Sequence, residues 1–199
     1  MKTVLIASNN AHKAVEIAEA LDFPGWEFKT LKQAGVHSDP VEDAETFLGN
    51  ARIKAHAAQQ ASGGMAVLAD DSGLEIDYLN KEPGIYSARY MGEDTSYDIK
   101  NQALLDRLDG VPDEKRTARF VCAIAAVLPD GSHEVVRGTM EGIIGHEIAG
   151  ENGFGYDPIF YLPEYGCTSA ELAPEEKNRR SHRGEGLRKM REILENKKK

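Results

Sequence analysis

Cysteine is scarce: the 199-residue chain has two, Cys122 and Cys167, far apart and outside any CxxC context. That spacing points to two reduced thiols with packing roles, and against a disulfide framework or a dithiol redox motif. Nothing around either residue suggests an activated thiolate. Long apolar runs are also lacking. None approaches the ~18 residues that cross a bilayer. Val4-Leu5-Ile6-Ala7 is too short for the apolar region of a signal peptide and reads as a buried first strand. Neither a membrane partner nor a leader is expected, and the expected location is the cytoplasm. Positive charge is short overall, and a net −9 argues against a general nucleic-acid binder. It is unevenly spread: residues 177–199 hold ten Lys and Arg against three Asp and Glu, a local +7 that leaves −16 elsewhere. Such asymmetry is expected either to bring a basic C-terminal element to the edge of an acidic, metal-holding cleft or to form a solvated basic helix, and Lys197-Lys198-Lys199 reads as a solvated tail.

What is present is ordinary globular composition, 41% apolar and 29% charged, enough for one core or for two lobes sharing a cleft. Thr3–Ala7 reads as a strand and Ser8–Asn10 as a turn. The spacing of Ala14, Ile17, Ala18 and Leu21 predicts a helix, stopped by Asp22-Phe23-Pro24-Gly25. Trp26–Leu31 completes a β-α-β opening. Residues 35–43 read as a loop. A helix is predicted from Ala44 to Gln60, on which Phe47, Ala51, Ala55 and Ala58 share a face, ended by Ser62-Gly63-Gly64. Ala66–Ala69 reads as a strand, Asp70-Asp71-Ser72-Gly73 as a tight acid turn, and Leu74–Tyr78 as a further strand. Ser96–Leu108 reads as a helix with Ile99, Ala103, Leu104 and Leu108 inward. Ala118–Leu128 and His133–Ile144 form a predicted hairpin, with Gly138 and Gly142 marking bulges or bends. Gly150–Pro158 is a glycine-rich loop, Ile159–Tyr161 a short strand, and His182–Glu195 a final helix with Leu187, Met190 and Leu194 on one side. The result is a mixed α/β domain over residues 1–199.

Three segments carry chemistry. Asp70 and Asp71 follow an apolar run, and oxygen ligands of this kind suit Mg²⁺ shared with substrate phosphates. Successive strand residues point in different directions, so the two acids are not equivalent. Glu42, Asp43 and Glu45 offer a second ligand. Ser8, Asn9, Asn10, Ala11, His12 and Lys13 come off a buried strand into a helix start, whose amides and dipole make a phosphate cradle. Phe154-Gly155-Tyr156-Asp157 offers aromatic faces and an acceptor on a backbone a ligand can approach. Lys177, Ser181, His182 and Arg183 concentrate donors.

In order, Ser8-Asn9-Asn10-x-x-Lys13, Thr46-Phe47-x-x-Asn50-Ala51-x-x-Lys54-Ala55, Ala69-Asp70-Asp71-Ser72-Gly73-Leu74, Pro83-Gly84-Ile85-Tyr86-Ser87-Ala88-Arg89-Tyr90, Gly153-Phe154-Gly155-Tyr156-Asp157-Pro158 and Ala170-Glu171-Leu172…Lys177…Ser181-His182-Arg183-Gly184 resemble the inosine/xanthosine triphosphate pyrophosphatase family. The resemblance runs from about residue 3 to 195. It implies a mixed twisted sheet flanked by helices, two lobes around a central substrate cleft, and a homodimer. The implied reaction is Mg²⁺-dependent cleavage of non-standard purine nucleoside triphosphates to monophosphate and pyrophosphate. Asp71 is implied as catalytic residue and metal ligand. Glu42 or a neighbouring acid is the second ligand, since the family's acidic pair and Thr-Gly read here as Val41-Glu42-Asp43-Ala44-Glu45. Ser8, Asn9, Asn10, Ala11, His12, Lys13, Lys54 and Ser72 are implied to hold phosphates. Phe154, Gly155, Tyr156, Asp157, Lys177, His182 and Arg183 are implied to hold the base. A broader nucleotide pyrophosphatase and a non-hydrolysing nucleotide sensor are the competing readings.

Overall fold

The computed structural model describes residues 2–21 and 24–197. Residues 22–23, part of the predicted helix stop, and 198–199, part of the predicted tail, lie outside the described residues. Chain order runs β1 (Lys2–Ile6), α1 (Ala11–Ala20), β2 (Trp26–Thr30), α2 (Leu31–Ala34), α3 (Phe47–Ala61), β3 (Ala66–Ile76), α4 (Tyr97–Arg107), β4 (Thr117–Val127), β5 (His133–Ile144), β6 (Phe160–Leu162), β7 (Cys167–Thr168), α5 (Pro174–Arg180) and α6 (His182–Asn196). Among the described residues the strands form one mixed sheet of order β2-β1-β3-β4-β5-β6-β7. β1 pairs in parallel with both β2 and β3, while β6 is antiparallel to β5 and β7. The α/β expectation holds.

The chain resolves into two compact units. One comprises Met1–Asp71, Cys122–Gly138 and His182–Lys199, the other Ser72–Val121 and Thr139–Ser181. In the first, Val4, Ile6, Leu68, Cys122, Ile124 and Ala126 from the strands pack with Ile17 and Leu21 of the α1 segment and Leu187, Met190 and Leu194 of α6. The α3 stripe Ala51, Ala55 and Ala58 is fully buried, as its spacing predicts. α3 begins three residues later than expected because Thr46 caps it, its hydroxyl accepting from Gly49 N.

In the second unit Leu74, Ile76, Leu104, Leu108, Phe120, Ile144 and Phe160 form the core. α4 corrects one expectation. Its buried face is Lys100, Asn101, Leu104 and Leu105, and Ile99 is exposed. Two polar residues in the buried stripe disguised its register. They are tolerated there because each bonds a backbone carbonyl.

Two more expectations change. β3 runs unbroken through Asp70-Asp71-Ser72-Gly73, so the acids lie within an eleven-residue strand rather than on a turn. β5 is likewise continuous, and its glycines mark close approach instead of bulges. A Cβ on Gly138 would lie 2.1 Å from the His182 carbonyl oxygen, and one on Gly142 2.7 Å from that of Tyr161. The short α2, β7 and α5 were not foreseen.

Arg116 is 2% exposed inside the second unit. Its guanidinium donates to the carbonyls of Ile144 (2.8 Å), Leu108 (2.7 Å), Val111 (3.3 Å) and Gly145 (2.5 Å). Arg116→Met keeps the length and removes every donor, leaving these carbonyls unsatisfied. A loss of about 3 kcal/mol is expected, read as a lower urea midpoint at unchanged slope, with Arg116→Lys recovering part of it.

Candidate active site

β1 is the strand about which the chain reverses its direction of growth. From β1 the chain crosses through α1 to β2 on one side, then returns through α2 and α3 to β3 on the other. Ligands in open parallel sheets bind beyond the carboxyl ends of the strands at such a switch point. Here that end carries the Ser8–Lys13 turn after β1 and Asp70-Asp71 on β3. The register places them side by side, since Ile6 pairs with Leu68 and Ala7 N donates to Leu68 O at 2.8 Å.

Crossovers running in opposite directions from one strand put their helices on opposite sheet faces. Strand alternation then sends Asp70 and Asp71 to different helices. Asp70, 1% exposed, shares its face with Leu68 and meets α1 and α6: its Oδ2 is 3.3 Å from Lys13 Nζ and 3.6 Å from Arg183 Nε. Arg183 also forms an ion pair with Glu16. Asp71 meets α3 instead, its Oδ1 3.5 Å from Lys54 Nζ, which also lies 3.1 Å from Glu42 Oε1. Asn50 holds that segment in place by accepting from Ala44 N at 3.0 Å. Gly49 permits the same turn, since a Cβ there would sit 2.6 Å from the Ala44 Cβ. The Thr46-to-Lys54 spacing is therefore a cap, a close approach, a buried pin and a lysine one turn further on.

Burial pushes the Asp71 carboxyl up to about 6, against the pull of Lys54 and Lys13, with Glu42 and Asp70 adding to the rise. Burial works the other way on Lys54, yet Asp70, Asp71 and Glu42 together outweigh it and raise the ammonium. Arg183 follows the same pattern, with burial opposed by Asp70, Cys122 and Glu16 and the net effect upward. At the helix start Asn10 caps α1, its Oδ1 accepting from Lys13 N at 3.2 Å. Ser8 Oγ accepts from Asn10 N at the same distance. Ala11 and His12 are exposed in the first turn. Asn9 donates to the Ser38 carbonyl at 3.0 Å, so its amide is engaged with the 38–39 segment.

The remaining predicted residues lie in the second unit, apart from His182, which is buried at the start of α6. Asp157 is buried and fully used. Its Oδ2 accepts from Lys177 Nζ (2.6 Å) and Phe154 N (3.0 Å), and its Oδ1 from Ser169 Oγ (2.7 Å). Lys177 Nζ lies 5.2 Å from the Phe154 ring centroid. Gly153 takes φ +74°, and a Cβ there would lie 2.2 Å from Asp157 Oδ2, so no other residue fits. Tyr156 is buried, its hydroxyl donating to Ser87 O. Phe154 is partly exposed and offers the loop's aromatic face. Ser72 is half-buried on β3.

Sequence reasoning did not name Glu16, Ser169 or Asn101, and it gave Ser87 only within a motif, without a role. Glu16 stands three residues after Lys13 on α1, as ordinary solvated helix acids do. Asn101 carried a signal, a polar residue within an otherwise apolar helical stripe.

Two ammonium groups, a buried guanidinium and a helix start beside two carboxylates define an α/β protein suited to a polyanionic, phosphate-bearing ligand. The chain belongs to the Ham1 family, whose profile matches residues 4–193. It is similar to the dITP/XTP pyrophosphatase of Geobacillus kaustophilus (50% identity, covering 98% of this chain and 95% of that one). It is also similar to the dITP/XTP pyrophosphatase of Desulforamulus reducens (48% identity, 98% and 96%). The solved structure of a HAM1 protein from Coxiella burnetii matches with a TM-score of 0.89 at 39% identity, covering 98% of this chain and 100% of that one.

The raised Asp71 carboxyl has a stability consequence. The native protein keeps its proton up to about pH 6, whereas the unfolded chain releases it near 3.8. Stability therefore falls as pH rises between those values and is level above them. In chelator, Asp71→Asn is expected to stabilise the protein by about 1–3 kcal/mol at pH 8, with the gain absent at pH 3.5. Paired thermal melts at the two pH values check this.

Proposed function

We propose that this chain hydrolyses non-standard purine nucleoside triphosphates, ITP, dITP and XTP, at the α–β phosphoanhydride, releasing monophosphate and pyrophosphate. Such an enzyme removes deaminated purines before they reach DNA or RNA. The observation that carries the reading is full-length similarity to dITP/XTP pyrophosphatases, joined to the charge constellation around Asp71.

Binding a triphosphate requires neutralising about four negative charges. Lys13 and Lys54 supply ammonium groups, and the amides of Ala11 and His12 supply donors beside the capping Asn10. Asp70 orients Lys13 and shares Arg183 with Glu16. Asp71 accepts the proton of the attacking water. Even without a metal, the carboxyl pushed up to about 6 is largely ionised at neutral pH and able to take that proton. Ser8 braces the turn through Asn10.

Mg²⁺ fits the donor set. Asp71 Oδ2 is buried with no hydrogen-bond partner among the described residues, and Glu42 offers a second carboxylate on the same lysine. No cluster of three or more His, Cys, Asp or Glu that could hold a metal ion exists among the described residues. When bound, Mg²⁺ neutralises phosphate oxygens and makes the anhydride easier to break.

The base falls to the 153–157 loop, where Phe154 provides a stacking face and Lys177 and Asp157 hold the loop's shape. A 6-oxo purine presents an acceptor where adenine presents an amino donor. Donors that meet that acceptor would be left unmatched by adenine, which can cost about 10⁴ in discrimination. The family resemblance further supports a cytoplasmic homodimer, to be read in sedimentation as twice the 21.8 kDa chain.

Incubation with ITP, dITP, XTP, ATP and GTP plus Mg²⁺ is expected to release pyrophosphate from the first three. Orthophosphate as the product, or equal turnover of ATP, would refute the reading. Asp71→Asn is expected to lower kcat by about 10³ while ITP binding, followed by calorimetry, persists.

A further inference from the structure

The 153–157 loop is held by buried groups that do not belong to its exposed aromatic face. The Gly155 carbonyl accepts from Asn101 Nδ2 at 3.1 Å, and Asn101 is 1% exposed in the buried stripe of α4. The Tyr156 hydroxyl donates to the Ser87 carbonyl at 2.6 Å, and its ring meets that of Tyr97 edge-on, centroids 5.2 Å apart. Ser87 is pinned in turn. Its hydroxyl accepts from Leu74 N at 2.9 Å and donates to the Gly84 carbonyl at 2.6 Å. Lys100, beside Asn101, donates to the Ala88 carbonyl at 2.8 Å. Adjacent residues of one helix thus tie down two loops, the loops are tied to each other, and Ser87 is bonded to β3 three residues beyond Asp71.

We propose that Ser87 and Asn101 are positioning residues for recognition of the purine base, an inference that rests on the reading of 153–157 as the base-holding loop. Gly153 and Gly155 adopt φ of +74° and +66°, a region open to glycine but not imposed by it. Contacts from outside the loop must therefore select its conformation, and through it the placement of the Phe154 ring. The chemistry of Asn101 agrees. Its Oδ1 is buried with no hydrogen-bond partner among the described residues, so the Gly155 carbonyl orients the amide. A leucine would pack there without that unmet acceptor, and the held carbonyl accounts for an amide in its place. Ser87 acts one step further back, keeping its own carbonyl where the Tyr156 hydroxyl needs it.

The test separates the two ends of the nucleotide. Inosine monophosphate carries the base without a triphosphate, and inorganic tripolyphosphate the reverse. By calorimetry, Ser87→Ala and Asn101→Ala are each expected to raise the inosine monophosphate dissociation constant about tenfold while that for tripolyphosphate stays within about twofold. For dITP hydrolysis, KM is expected to rise with kcat nearly constant. Asn101→Asp, which keeps the volume but sets an oxygen against the Gly155 carbonyl, is expected to repeat the effect and serves if the alanine variant does not fold. Unchanged inosine monophosphate binding, or parallel weakening of both probes with a lower thermal midpoint, would overturn the proposal. Wild-type protein that does not hydrolyse dITP refutes the functional reading, and the positioning role with it. A hydrolysing wild type with unaffected variants refutes the positioning role alone.

Discussion

The parallel ladder between β1 and β3 is the constraint on which the candidate chemistry depends. It joins two segments more than sixty positions apart in the chain, a helix start and a pair of acids, at one end of a sheet. Slipping the register by a single residue would exchange the faces of Asp70 and Asp71. Each carboxylate would then meet the other's helix, with Lys13, Arg183 and Lys54 left opposite the wrong partners. Buried Val4, Leu5 and Ile6 against Val67 and Leu68 set that register by apolar packing.

The price of placing several like charges at the end of a core strand is visible in the raised Asp71 carboxyl. Three cations and four acids crowd there: Lys13, Lys54 and Arg183 beside Glu16, Glu42, Asp70 and Asp71. Asp70 is held tightly between cations and serves as a fixed anchor for them. Asp71 keeps one oxygen uncommitted. Neighbouring residues of the same type thus take different work because the pleat turns them toward different helices.

Much of this was legible in the primary structure, and the misses have physical causes. The strand–helix–strand opening, the alanine face of α3 and the three leucine-and-methionine positions of α6 follow from periodicity alone. Asp70-Asp71-Ser72-Gly73 looked like a turn because carboxylates and glycine are rare within strands. Lysine and arginine from three helices, distant in the chain, make the strand possible there, and no local window reveals them. Lys100 and Asn101 hid the inward face of α4 for the same reason. The candidate residues could be listed from motifs. What could not be read was the internal commitment of Asp157 and Tyr156, whose polar atoms bond within the fold.

On the proposed reading of 153–157 as the base-holding loop, that commitment narrows where base preference can change. Gly153 has no room for a side chain, Asp157 has spent both oxygens, and Tyr156 is buried and bonded. Phe154 alone among these four aims a replaceable surface outward. Evolution or an engineer seeking a different nucleobase would thus find one permissive position on an otherwise frozen loop, and drift in specificity should be written there first.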